Sequence, residues 1–227
     1  VRCAAIPKNK IKEAIGVLVK DYSVVAPAKR NGLLEFQKIT DIGDDIIKAI
    51  DNDELPYKSP KEFLFPQLEK LMVFNNGCNL VEEEVEDKTV IIGVKPCDLE
   101  GLKVLTAVFS EGKYKDEKVI KRRENIILVG TGCRSKKPGC FCDERGVDKN
   151  FSKDCDIFIE KPDGYGKNYE FYSFTDTGDY VLDKFASKGL VADAVMDIPK
   201  SKPEAESQKA QLIIEADENT LFNKIDW

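Results

Sequence analysis

Two short apolar runs, each followed at once by a cysteine motif, constrain the fold of this chain most strongly. The run Thr89–Val94 leads into a Pro-Cys-Asp motif at residues 96–98, and the run at residues 125–130 leads into Cys133. β-branched runs closed by Gly or Pro are typical of buried strands. If both strands belong to one parallel sheet, their carboxyl ends meet at the edge where open α/β sheets place ligands. The pattern predicts an α/β fold, a mixed or parallel sheet with flanking helices and a cysteine cluster at the C-terminal strand edge.

Cysteine supplies the chemistry available at that edge. The count of seven is odd, and the first residues lack the apolar core of a signal peptide, so a disulfide framework is not indicated. The chain has no histidine, which excludes Ser-His-Asp and Cys-His catalytic groups and histidine-ligated zinc or haem. A metal would therefore be held mainly by thiolates. The cysteines expected to converge are Cys97, Cys133, Cys140 and Cys142.

The spacing of these cysteines leaves three kinds of site open. A gap of 35 residues separates Cys97 from a C-x6-C-x-C run, and the C-x-C step is tighter than the C-x2-4-C pairs usual at zinc sites. An iron–sulfur cluster accepts irregular spacing better, because its ligands bind separate iron atoms. The alternatives are a structural zinc in a docking module without a redox role, and a thiol–disulfide enzyme that uses Cys140 and Cys142.

Groups beside the cysteines are expected to act on a bound metal. Cys97 near a helix N-terminus is expected to favour the thiolate. Backbone amides at three glycines are expected to reach cluster sulfurs: Gly130, Gly132 and Gly139. Four basic residues lie close in sequence to these cysteines: Lys95, Arg134, Lys136 and Lys137. Their positive charge would raise the reduction potential of a bound cluster. The alternative, held equally, is that they are solvated residues of exposed loops. The three remaining cysteines are scattered and are interpreted as small buried apolar residues: Cys3, Cys78 and Cys155. Of these, Cys155 is the strongest candidate for a role at the metal site instead, because it follows the other cysteines closely in sequence.

Periodic patterns predict the remaining elements. Apolar residues at i, i+3, i+4 and i+7 predict an amphipathic helix over residues 8–20, and a similar pattern predicts a helix after Pro96. A capping box at Ser59 predicts a helix towards Phe74, kinked at Pro66. Further strands are predicted at residues 23–26, ending at Pro27, and at 32–39, 155–160 and 169–174, the first two joined as a hairpin across 27–32. Further helical segments are predicted at residues 44–49, 179–188, 207–214 and 218–225, and a solvated basic turn at 121–123.

Charge and hydropathy narrow the classes of partner. The net charge of −6 and the pI of about 5.0 argue against broad nucleic-acid binding. No apolar run is long enough to span a bilayer, so a membrane is not expected as a partner.

Residues 1–200 are expected to form one α/β domain, followed by a helical linker over residues 201–227.

Three segments resemble a known family. They are SPKEFLFPQ at residues 59–67, GVKPCDLEGL at 93–102 and GTGCRSKKPGCFC at 130–142. They resemble the iron–sulfur subunit family that includes the β subunit of soluble sulfhydrogenases and the corresponding iron–sulfur subunit of anaerobic sulfite reductase. The resemblance runs from about residue 25 to about residue 190. The pairing of a PCD motif with a downstream CFC motif is its most specific part.

This resemblance implies a cytoplasmic, non-catalytic electron-transfer subunit in an anaerobe. It implies a [4Fe–4S] cluster whose ligands would be Cys97, Cys133, Cys140 and Cys142. It also implies two partners, a flavin- and NAD(P)-binding reductase subunit and a catalytic subunit of hydrogenase or sulfite reductase type. The family continues into a ferredoxin-like domain with C-x2-C-x2-C runs, which this sequence lacks. Residues 201–227 are therefore expected to lead toward a ferredoxin-like domain absent from this chain.

Overall fold

The computed structural model describes most of the chain. The described residues are 1–40, 42, 44–51, 54–70, 72–74, 80–82, 88–162, 166–192 and 196–197. The linker and the two helices predicted after residue 200 lie outside the described residues, and so does Cys78. The part of the chain that is described contains ten strands: β1 Arg2–Pro7, β2 Ser23–Arg30, β3 Leu33–Ile39, β4 Met72–Phe74, β5 Leu80–Glu82, β6 Thr89–Val94, β7 Ile126–Thr131, β8 Ile157–Glu160, β9 Asn168–Ser173 and β10 Met196–Asp197.

Helices alternate with these strands along the chain. The same described ranges contain five α-helices: α1 Ile11–Asp21, α2 Asp44–Asp51, α3 Pro96–Ser110, α4 Glu117–Glu124 and α5 Asp176–Ser187. Single 3-10 turns occur at Lys8–Lys10 and Pro60–Phe63. β4 and β5 pair only with each other, whereas the other eight strands form one sheet.

The large sheet is mixed, in the order β10-β1-β9-β8-β7-β6-β2-β3. Its centre is parallel, because β2, β6, β7 and β8 pair in parallel with one another in turn. Antiparallel strands lie on both sides: β3 beside β2, and β9, β1 and β10 beyond β8. The predicted α/β fold with a mixed or parallel sheet is confirmed, and β6 and β7 occupy its parallel centre.

Helices cover both faces of the sheet. On one face α1, α2 and α5 pack against alternate residues of the central strands, among them Val90 and Val129. On the other face α3 and α4 pack against the intervening residues, among them Ile91 and Leu128. Such alternation follows from the two-residue period of a strand. Each large aliphatic side chain buried in this way contributes roughly 1.5–3 kcal/mol to the free energy of folding.

The helices predicted at either end of the described chain are confirmed. The apolar stripe predicted over residues 8–20 is the buried face of α1: Ile11, Ala14, Ile15 and Leu18. α5 begins three residues earlier than predicted, because the Thr175 side chain caps it by accepting a hydrogen bond from Gly178 N. It is followed by Gly189 at φ +66°, the left-handed conformation common after helix ends.

β2 is longer than predicted, because Pro27 does not end it. β2 pairs with β6 only over Ser23–Val25, so the missing N–H of Pro27 removes no hydrogen bond from that ladder. The strand then continues against β3 to Arg30. The predicted hairpin turns at Asn31-Gly32, whose φ angles of 51° and 82° suit the tight turn that Asn-Gly favours.

The helix predicted from Ser59 towards Phe74 is wrong. A single 3-10 turn forms at Pro60–Phe63, and β4 begins at Met72. Ser59 makes no capping hydrogen bond; its hydroxyl donates instead to the carboxylate of Asp98. Pro66 has no N–H to offer to a preceding carbonyl, so the helix cannot propagate beyond the first turn.

The predicted basic turn at residues 121–123 is also wrong, because those residues lie in α4. Asp116 caps this helix by accepting hydrogen bonds from Lys118 N at 3.0 Å and Val119 N at 3.1 Å. Arg122 donates to the carbonyl oxygen of Leu64 at 2.8 Å and pairs with Glu69. The arginine therefore tethers the segment around Leu64 to α4 rather than lying free in solvent.

Candidate metal centre

Neighbouring parallel strands bring Cys97 and Cys133 to one edge of the sheet. In the β6–β7 ladder Ile92 lies opposite Val129 and Val94 lies opposite Gly130. Cys97 follows the end of β6 by three residues and Cys133 follows the end of β7 by two. Both cysteines therefore leave the carboxyl ends of adjacent strands, the position predicted from the sequence.

The thiol of Cys97 is influenced by two other cysteines. Partial burial raises the pKa of Cys97 to about 12, and the charges of Asp98, Cys142 and Cys133 contribute to this rise. The N–H of Asp98 hydrogen-bonds to Cys97 and lowers the pKa, but by less. The expectation that the helix N-terminus favours a Cys97 thiolate is therefore wrong for the chain alone. Cys133 and Cys142 therefore lie near enough to Cys97 to act on its thiol, and a cation would stabilise the thiolate of Cys97.

The loop after β7, which backbone hydrogen bonds hold in place, carries the other cysteines. Cys133 N donates to the carbonyl oxygen of Lys149 at 2.8 Å, which closes the loop at its base. The close packing there requires Gly132, since a Cβ atom at this residue would lie 2.3 Å from the carbonyl oxygen of Asn150. At the far end Val147 N donates to the carbonyl oxygen of Cys142 at 2.8 Å. Cys142 is consequently held in place with 9% of its surface exposed.

Cys140 occupies a turn of this loop. Its N–H donates to the carbonyl oxygen of Lys137 at 3.0 Å, and Lys137 N donates in return to Cys140 Sγ at 3.3 Å. Cys140 is absent from the charges that act on Cys97. Within the described ranges, no three or more Cys, Asp or Glu side chains are arranged to hold a metal ion. The four-cysteine ligand set thus stays a prediction, and Cys97, Cys133 and Cys142 are the members that the fold brings together.

The residue types at this edge, rather than their present arrangement, suit an all-thiolate metal group. None of the six cysteines among the described residues is held in a disulfide. We use the term cysteine rim for Cys97, Cys133, Cys140 and Cys142. Thiolate ligands suit both iron–sulfur clusters and zinc. The donor chemistry therefore agrees with either metal.

The basic residues near the rim divide into two kinds. Lys95 is 1% exposed, whereas Arg134, Lys136 and Lys137 lie exposed in the loop. Lys136 pairs there with Asp143. The interpretation of these residues as solvated loop lysines is consequently wrong for Lys95. No sequence signal marks it, because lysine is among the residues least often buried.

Asp98, the residue after Cys97, is a further candidate for a role at this site. The N-terminal cap of α3 is Lys95, so Asp98 lies inside the first turn. Burial raises the pKa of the Asp98 carboxyl, while the Ser59 hydroxyl and the charges of Lys95 and Lys61 lower it. Asp98 therefore links the rim to both Lys95 and the 3-10 turn.

Gly130 does not serve the rim as predicted. Its backbone hydrogen-bonds to Cys155, and a Cβ atom at Gly130 would lie 2.8 Å from Phe158 and 2.9 Å from Leu99. Cys155 is 4% exposed within the same apolar core, as interpreted from the sequence. Cys3 is half-buried on β1, and burial together with Glu170 and Glu160 raises its pKa to about 11.

Comparison with known proteins agrees with the resemblance noted from the sequence. The chain is 31% identical over 144 residues to the sulfhydrogenase 2 subunit beta of Pyrococcus furiosus. The aligned segment covers 63% of this chain and 40% of that protein. No family model matches the chain. In the described residues, no helix is long and apolar enough to cross a membrane.

Proposed function

We propose that this chain is an electron-transfer subunit of an oxidoreductase complex, with a [4Fe–4S] cluster on Cys97, Cys133, Cys140 and Cys142. The observation that carries the proposal is the position of Cys97 and Cys133 just beyond the carboxyl ends of the adjacent parallel strands β6 and β7, with Cys133 and Cys142 both near enough to act on the Cys97 thiol. The similarity to a sulfhydrogenase β subunit supports the same function. A histidine-free site with thiols as its principal donors suits this class of cofactor.

The protein residues would hold the cofactor and limit its exposure. When bound, the cluster supplies a one-electron couple. Cys142 and the strand ends at Val94 and Gly130 are buried and would shield it on the side of the core. Cys97 is exposed, so a partner protein can approach the rim from that side.

We infer that the loop closes towards the sheet edge when Cys140 ligates, because Cys140 is missing from the thiols that act on Cys97. Lys137 N already donates to Cys140 Sγ at 3.3 Å. Such an N–H···S hydrogen bond would stabilise a ligating thiolate and would help to set the reduction potential. The turn at Gly139, with φ +87° and open space around it, leaves room for this movement.

The partners follow from the proposed relay. One would be a flavin- and NAD(P)-binding reductase subunit, and the other a catalytic subunit of hydrogenase or sulfite reductase type. The exposed side of the rim at Cys97 provides one point of contact. We place the complex in the cytoplasm of an anaerobe, where reduced thiols and iron–sulfur clusters persist.

Metal analysis of the chain purified without oxygen tests this function. We expect about four irons and four sulfides per chain, as a cubane cluster requires, and an EPR signal after reduction with dithionite. Cys133→Ala should abolish or convert the cluster. One zinc per chain without sulfide would instead establish a structural zinc site and would overturn the relay.

Matched cysteine variants separate loss of a ligand from loss of a thiol. Cys3→Ala and Cys155→Ala remove free cysteines that lie outside the rim. Both should retain the iron, the sulfide and the EPR signal of the unmodified chain. Equal iron loss in these variants and in Cys133→Ala would contradict the ligand assignment.

A further inference from the structure

The buried lysine beside the cysteine rim has an unusual place in the fold. Among the residues whose burial the structure describes, Lys95 is the lone lysine or arginine that is buried, with 1% exposed surface. It lies between the end of β6 and the start of α3. Taking an ammonium group out of water is costly unless negative charge or hydrogen bonding compensates it. Its burial at this position therefore calls for a compensating group.

Lys95 joins the two segments that carry rim cysteines. Its carbonyl oxygen accepts a hydrogen bond from Leu99 N at 2.9 Å, which anchors the first turn of α3 around Cys97. Its ammonium donates to Thr131 Oγ1 at 3.4 Å. Thr131 is fully buried at the end of β7, two residues before Cys133. One side chain thus spans the strand ends from which both cysteines emerge.

Lys95 lies close to the rim along the chain. It precedes Cys97 by two residues and the carboxylate residue Asp98 by three, at the first turn of α3. Thr131 is neutral and supplies a dipole but no charge. A cluster held by four thiolates carries net negative charge, and reduction adds one more electron. A buried positive charge acts more strongly on such a group than the exposed Lys136, because little water screens it.

We infer that Lys95 is a positioning residue that holds the ends of β6 and β7 together and places a fixed positive charge beneath the cysteine rim, raising the reduction potential of its cluster. This inference rests on the proposed function. It separates Lys95 from the loop residues Arg134, Lys136 and Lys137, which lie exposed. The reduced cluster gains more from the ammonium than the oxidised cluster, since it carries more negative charge.

A redox titration followed by EPR on the 227-residue chain tests the inference. Lys95→Met removes the charge at similar length, and Lys95→Gln removes the charge while keeping a donor for Thr131. Both should lower the reduction potential, so that the ratio of reduced to oxidised cluster at a fixed potential falls about tenfold, or ~59 mV for one electron. Lys95→Arg should stay near the wild-type potential.

Two further variants isolate the origin of the effect. Lys136→Met removes a loop charge and should leave the potential unchanged. Thr131→Val removes the hydroxyl but keeps the ammonium, so a smaller shift in the same direction is expected. Circular dichroism and iron content identify any variant that fails to fold. If Lys95→Met fails to fold, the potential of Lys95→Gln tests the role of the Lys95 charge.

The possible failures can be told apart. A wild-type potential in a fully loaded Lys95→Met or Lys95→Gln chain would overturn the role of Lys95 and leave the proposed function intact. An equal shift of the reduction potential in Lys136→Met would also overturn the role of Lys95, because a buried and an exposed lysine would then have the same effect. A wild-type chain without iron or sulfide would overturn both the inference and the proposed function.

Discussion

The ring of Pro27 packs against the backbone of Gly93, where a Cβ atom would lie 3.2 Å from Pro27 Cδ. Gly93 has φ +85° and sits where the pairing of β6 with β7 shifts register, between Ile92 and Val94. Gly93→Ala should therefore lower the free energy of unfolding by about 1–3 kcal/mol. Urea denaturation measures the change.

Gly101 provides the matched control for that substitution. It lies within α3, and no atom is within 4 Å of an added Cβ. Gly101→Ala should raise the free energy of unfolding by up to about 1 kcal/mol, since alanine favours the helix. Equal losses in the two variants would contradict the role assigned to the left-handed conformation of Gly93.

Asp156 ties the sheet to α5 through buried hydrogen bonds. Its carboxylate accepts from Leu128 N and from Thr175 Oγ1, both at 2.8 Å. Asp156→Ala should cost about 3 kcal/mol, because a buried amide and a hydroxyl lose their acceptor. Asp154→Ala removes a partly exposed ion pair with Lys103 and should cost at most about 1 kcal/mol. Similar midpoints of thermal unfolding in the two variants would count against the network.

Loss of the N-terminal cap of α4 should lower the free energy of unfolding by less than loss of the Asp156 carboxylate. Asp116→Ala leaves Lys118 N and Val119 N without their acceptor, so a loss of about 1 kcal/mol is expected. Glu117→Gln, in the exposed first turn, should change stability by less than about 0.5 kcal/mol. Chemical denaturation of both variants checks the difference, and a neutral Asp116→Ala would contradict the capping assignment.

The buried thiol of Cys155 predicts a loss of stability in alkali. Burial raises the pKa of Cys155 from its ordinary value of 9.0 to about 12. The unfolded chain therefore releases this proton first, and the contribution of Cys155 to stability declines as the pH rises from 9.0 towards 12. Cys155→Ala should show a flatter decline over this window than the unmodified chain. Identical slopes in unfolding curves across the window would refute the assignment.

The strands that position the candidate site follow directly from local sequence patterns. Thr89–Val94 is apolar after its first residue, and residues 90–94 are all buried, as expected for a central parallel strand. Because β6 and β7 are adjacent and parallel, the positions of Cys97 and Cys133 follow from the strand assignments. The position of Cys140 does not follow, since a loop turn at Gly139 rather than strand geometry decides it.

Other features depend on contacts that no local pattern contains. The strand β1 is as long as β6, but its residues Ala4 and Ala5 carry little β-propensity, and its pairing with β9 holds it in the sheet. The capping box at Ser59 competes with a hydrogen bond to Asp98, which lies far away in sequence. Lys95 looks solvent-exposed by residue type, and only the fold shows that it is buried.

The strand order also has a consequence for assembly of the chain during synthesis. β6 and β7 belong to one contiguous stretch, so the segments around Cys97 and Cys133 can pair as soon as that stretch is complete. β1 lies between β10 and β9, and Arg2 pairs with Asp183, so the first strand must wait for partners made much later in translation. The sheet edge that carries Cys97 and Cys133 is therefore available before the distant edge of the sheet closes.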